Sequence, residues 1–161
     1  MVKIVGIDPG LAETGVAIIK GKGSKVFGFA YGSIQTSKDT PLPTRLEQIF
    51  TNLNSLLKNE KPDLIIVEDI FSLKKYPKSA IMLGKVTGVI LLAGSISHIP
   101  VTEVAVREAK CALTGNGNAS KMQLEKSVRQ FLNLDVQIKP YHASDAIALA
   151  LTGLFREGLI S

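Results

Sequence analysis

The sequence predicts an α/β domain in which a central, mixed five-stranded sheet is flanked by helices, and three observations predict it. β-Favouring runs fill the first 35 residues, helical periodicity dominates from Thr44 onward, and two further short strand-like runs, Leu64 to Val67 and Val101 to Val104, stand between helical segments. Strands met first as a meander pair antiparallel, whereas strands separated by helices return parallel, which makes the sheet mixed.

Lys3 to Ile7, Gly15 to Ile19 and Lys25 to Gln35 are the first three strands, with Gly21 to Ser24 (GKGS) as a hairpin turn between the second and third. After Pro41 and Pro43, the apolar residues Leu46, Ile49, Phe50, Leu53, Leu56 and Leu57 recur at i, i+3, i+4 and i+7. That spacing predicts one face of a helix ending before Pro62. Leu64 to Val67 (LIIV) reads as a strand buried on both faces, and it delivers Glu68 and Asp69 at its C-terminal end.

A polar, lysine-rich loop, Ser72 to Lys78, leads into a helix from Ser79 to His98, where Ala80, Gly84 and Gly88 form a stripe of small residues. Its apolar stretch Val86 to Ile96 is broken by Gly88, Gly94 and Ser95 and falls short of the ~18 residues a bilayer needs, so it reads as a buried helix. Val101 to Val104 is a strand, Val106 to Leu113 a short helix, and Ser120 to Leu132 a helix after the loop TGNGNAS. The last helix runs from about Ser144 to Arg156. No linker, repeat or low-complexity segment divides the chain, so one domain is expected over residues 1–161.

With 45% hydrophobic and 20% charged residues, the 161-residue chain has the composition of a well-filled core and not of a disordered segment. Nineteen Lys and Arg against fourteen Asp and Glu leave a charge of +5, which favours a polyanionic partner. The single Cys111 excludes an internal disulfide framework or a thiolate metal cluster, and reads as a small buried residue without a role. A reducing, cytoplasmic setting fits, and MVKIVGIDPG is too short an apolar run for a secretory signal.

Asp8 follows the first strand in IVGIDPGLAETG, and Pro9 and Gly10 fix its direction; alone it reads equally as a turn aspartate. Glu68 also ends an apolar strand, where an unpartnered carboxylate is costly to bury. If the two converged they would repel, and a divalent cation with hard oxygen ligands relieves that. Asp69 competes for the same role, but alternation along a strand directs at most one of the pair into a common site. In YHASDAIALAL, His142 and Asp145 are three residues apart, one helical turn on one face. Asp145 near a helix N-terminus is electrostatically favoured in any case.

The segments GIDPGLAETG, VEDIF (Val67 to Phe71), VREAKCALTGNGNASKMQ (Val106 to Gln123) and HASDAIALAL occur in the order and spacing of the RuvC family of Holliday-junction resolvases, which the whole chain resembles. The resemblance implies a ribonuclease-H-like fold and a Mg²⁺-dependent endonuclease that cuts four-way junctions by symmetric paired incisions in recombination and repair. It implies Asp8, Glu68, His142 and Asp145 as the catalytic set and as the ligands of two Mg²⁺ ions, with Mn²⁺ as a substitute. His142 departs from the aspartate of the reference pattern. Phe71 matches the aromatic that stacks on a base, Lys74, Lys75 and Lys78 phosphate-facing cations, and Lys110 and Lys121 basic positions near the scissile phosphate. The stripe Ala80, Gly84, Gly88 matches the helix through which the family dimerises, and a branch-migration helicase complex is an implied partner.

Two alternatives remain at this level: a ribonuclease-H-like nuclease acting on another nucleic acid, and an actin-like ATP-binding module, because GIDPGLAETG also resembles that superfamily's phosphate-cradling turn. GNGNASK resembles a P-loop only superficially, since it lacks the second Gly and the Ser or Thr after Lys.

Overall fold

Residues 1–70 and 77–160 are described by the computed structural model of the chain. Three strands open it as an antiparallel meander: β1 (Val2–Asp8), β2 (Glu13–Lys22) and β3 (Lys25–Gln35). Lys22 pairs with Lys25, so the turn is the two residues Gly23 and Ser24, and Gly23 takes the left-handed conformation at φ +57 that favours glycine. Helix α1 (Leu42–Glu60) then crosses to β4 (Leu64–Glu68), which pairs parallel with β1. Helix α2 (Pro77–Ile96) leads to β5 (Val101–Val104), parallel with β4, and α3 (Val106–Thr114), α4 (Lys121–Leu132) and α5 (Tyr141–Ile160) complete the chain. The sheet is mixed, of order β3-β2-β1-β4-β5, as the sequence predicts.

Alternation along the central strands feeds two cores. Val5, Ile7, Val16, Ile65 and Val67 pack against Ile49, Leu53 and Leu57 of α1 and Val86, Ile90 and Ala93 of α2. Ile4, Ala17, Ile19 and Ile66 face the other way, onto α3, α4 and α5. Each fully buried Ile or Leu contributes roughly 1.5 to 3 kcal/mol, and β4 buries residues toward both layers, as LIIV requires. The polar cap of α4 is local: Ser120 Oγ accepts the Gln123 N–H at 3.1 Å and Gln123 Oε1 accepts the Ser120 N–H at 2.8 Å. This capping box fixes Lys121 as the first residue of the helix.

Two expectations need correction. The stretch from Val86 to Ile96 is not wholly buried: it is the second half of α2, which starts two residues before Ser79 and holds an 18-residue window of mean hydropathy 1.7, the length and composition that can cross a membrane. It is a core helix on one side, where Val86 and Ile90 are fully buried, while Ile81, Leu91, Leu92 and Ile96 are exposed on the other. The last helix starts three residues before Ser144, at Tyr141, so His142 already lies within its first turn.

Candidate active site

The site grows from strand register. In the parallel β1–β4 ladder Ile7 pairs with Val67, which sets Asp8 and Glu68 side by side at the C-terminal ends of adjacent strands. Both have the parity of Ile4 and Ile66, so they face the α5 side of the sheet. There α5 supplies His142 from its first turn and Asp145 from the next, one turn apart on one face. Asp8, Glu68, His142 and Asp145, together with Lys110 of α3 and Lys121 of α4, line one cleft of about 350 Å³ that also takes in Pro9, Gly10, Asp69, Ile70, Leu83 and Val106.

Asp8 is only 5% exposed, and its Oδ2 lies 2.7 Å from His142 Nδ1. That contact holds the imidazole proton, so the His142 pKa is raised above 6.5; burial opposes the rise, and the charges of Asp8, Glu13 and Asp145 reinforce it. Glu68 is pushed up to about 9, first by burial, then by its hydrogen bond to Asp8 and repulsion from Asp8 and Asp145, against which Lys121 acts. Asp145 rises to about 6 through burial and the charge of Asp8, with Lys121, His142 and Lys110 opposing. At neutral pH the metal-free cluster therefore keeps a proton on Glu68, an acid that water would ionise fully.

A hard divalent cation fits this donor set. Three carboxyl groups and an imidazole converge where the opposing charge of two lysines leaves two of the acids with raised pKa values. Among the described residues no three such groups close into a ready-made cage. Mg²⁺ is ordinarily held by one or two carboxylates with water and substrate phosphate oxygens completing the shell, so an open cluster suits it.

The six residues expected near the chemistry thus come together. Asp69, expected to be turned away if Glu68 points in, lines the same cleft from just beyond the strand end, where its N–H bonds to the Val104 carbonyl at 2.9 Å. Leaving the strand releases it from strict alternation, which is why that reasoning failed. Glu13, whose charge reaches His142, carries no sequence signal, because only the β1–β2 hairpin returns it to the site. Lys78 is exposed on the first turn of α2 and does not line the cleft. Phe71, Lys74 and Lys75 lie outside the described residues.

Among the described residues the stripe is open and not pressed on the sheet: a Cβ at Gly88 would meet none of them within 4 Å, and one at Gly84 only Ile70 Cδ1 at 3.6 Å, while Ala80 is half-buried. Cys111 is exposed, contrary to expectation, because it falls on the outer side of α3 from buried Ala109 and Leu113.

A mixed sheet of this order with carboxylates at the ends of its two central parallel strands defines a ribonuclease-H-like nuclease domain. Residues 4–153 match the family described as Crossover junction endodeoxyribonuclease RuvC. The protein of that name from Brevibacillus brevis is 39% identical over 150 residues, covering 93% of this chain and 90% of the relative. That from Carboxydothermus hydrogenoformans is 38% identical over 156 residues, covering 97% and 98%. The solved structure of T. thermophilus RuvC in complex with Holliday junction substrate superposes with a TM-score of 0.92 at 29% identity, over 99% of this chain and 96% of that one. The chain belongs to the RuvC family of crossover junction endodeoxyribonucleases.

Proposed function

We propose that the protein is a Holliday-junction resolvase of the cytoplasm, a Mg²⁺-dependent endonuclease that cuts four-way DNA by paired, symmetric incisions. The observation that carries this is the convergence of Asp8, Glu68, His142 and Asp145 with Lys110 and Lys121 in one cleft. In this reading Asp8, Glu68, Asp145 and His142 hold two divalent ions, Mn²⁺ being able to replace Mg²⁺. When bound, such ions activate the attacking water and stabilise charge on the leaving oxygen.

The chain's own groups do the rest. Lys110 and Lys121 draw a phosphate into an otherwise acidic cleft, where their charges already favour ionised Asp145. His142 holds a proton against Asp8 and must release it before its Nδ1 lone pair can serve as ligand or base. Phe71 stacks on a base beside the junction centre, and Lys74, Lys75 and Lys78 meet flanking phosphates.

A junction is two-fold symmetric, so paired cuts call for two active sites related by a two-fold axis. We assign the dimer contact to α2, whose exposed Ile81, Leu92 and Ile96 flank the open stripe of Ala80, Gly84 and Gly88. A branch-migration helicase complex is the partner expected to deliver the junction.

The test offers a synthetic four-way junction, a linear duplex and an RNA–DNA hybrid side by side with Mg²⁺. Paired incisions at symmetric positions of the junction alone are expected. Preferential cutting of the hybrid would move the protein to another ribonuclease-H-like activity. An ATP-dependent thermal shift, with none from Mg²⁺ and junction DNA, would refute the nuclease reading altogether.

A further inference from the structure

α5 brings His142 and Asp145 to the cleft, so the height of its first turn above the sheet sets their reach to Asp8. Gly15 stands directly across from Asp8 in the β1–β2 ladder, and any side chain there would point to the α5 side. A Cβ on Gly15 would lie 2.1 Å from the His142 carbonyl oxygen, 2.5 Å from its carbonyl carbon and 3.1 Å from its Cβ. All three atoms belong to His142, and two are backbone, so no change of rotamer relieves the collision. Ordinary contact begins near 3.4 Å, so the start of α5 would have to retreat by more than about 1 Å. The 2.7 Å contact between His142 Nδ1 and Asp8 Oδ2 does not survive such a movement, because N–H···O bonds end near about 3.2 Å.

Gly28, on β3, is different: an added Cβ there would meet no described atom within 4 Å.

We propose that Gly15 is a positioning residue of the active site: its missing side chain lets β2 touch the backbone of α5 at His142, and that contact holds His142 and Asp145 at working distance from Asp8. The consequence for cutting rests on the nuclease reading above; the consequence for His142 geometry does not.

The chain has only two histidines, and the other, His98, sits exposed after α2, so imidazole nitrogen spectra of the metal-free protein report His142 against an internal reference. In Gly15→Ala and Gly15→Ser we expect folded protein by circular dichroism, loss of the hydrogen-bonded Nδ1 signal of His142 and an unmoved His98. Junction cutting at saturating DNA should fall about 100-fold with junction affinity kept, the cost of a misplacement of about 1 Å. Gly28→Ala should keep the His142 signal and cut like the wild type. A Gly15→Ala protein with a wild-type His142 spectrum overturns the proposal. So does failure of both Gly15 variants to fold while Gly28→Ala folds, because Gly15 would then be a plain packing position. If even the wild type leaves junction DNA uncut, the nuclease reading falls, and the His142 spectrum alone decides the positioning role.

Discussion

Replacing Asp145 by Asn is expected to stabilise the metal-free protein at neutral pH, although it removes a residue we assign to the catalytic set. Burial and the charge of Asp8 lift the Asp145 pKa from 3.8 to about 6, so the folded state holds this proton more tightly than the unfolded chain does. Stability is therefore highest with the group protonated, falls as pH rises from about 4 to about 6, and stays low above that. A gap of about two units corresponds to about 3 kcal/mol, since each unit is worth about 1.4 kcal/mol. Asn keeps the shape and removes the charge, and for a chain of this size the gain is about 6 to 12 °C in Tm. Calorimetry in a chelator from pH 4 to pH 8 reads it directly: the two proteins should melt together near pH 4 and separate by pH 7. Mg²⁺ should then raise the wild type more than Asp145→Asn, because a cation bound to the folded state alone stabilises it by mass action. Curves that coincide at pH 7 would refute the claim that the cluster carries uncompensated charge.

Asp8→Asn should lower junction cutting by about three orders of magnitude while leaving junction affinity near wild type, measured by gel incision and by binding in Ca²⁺; full activity would remove Asp8 from the site. In His142→Asp the acid limb of the rate profile, which the Asp8 contact should move up in the wild type, should shift to lower pH with activity retained. Superimposable profiles would show that His142 does not titrate in the reaction. Leu92→Glu should give a folded monomer by light scattering that nicks junctions singly, since Leu92 is 54% exposed on α2; an unchanged mass would place the dimer contact elsewhere. Phe71→Ala should reduce the cutting rate more than affinity, with a loss of about 1 to 3 kcal/mol if a stacked base is involved; an unchanged rate would exclude stacking.

The strands and α1 were legible because their apolar residues repeat with one clear period and are bounded by Pro and Gly. Asp8, Glu68, His142 and Asp145 were legible as residue types, but their convergence depends on the parallel β1–β4 register and on the seating of α5, which no local pattern encodes. The start of α5 was missed because Tyr141, His142 and Ala143 carry no capping signature; Ala143 is held in place by full burial against the sheet. An apolar helix such as α2 does not announce which of its faces is covered, and so its exposed half went unread. Asp69 escaped because strand alternation stops where the strand does.

The exposed Cys111 follows Lys110, a cleft residue, and is the chain's only thiol. A maleimide dye attached there sits one residue along α3 from a cleft side chain, on a native surface with no engineered cysteine to introduce or remove. The arrival, dwell and release of a single junction can thus be followed as a change in brightness, which separates enzymes that wait on chemistry from those that wait on their product.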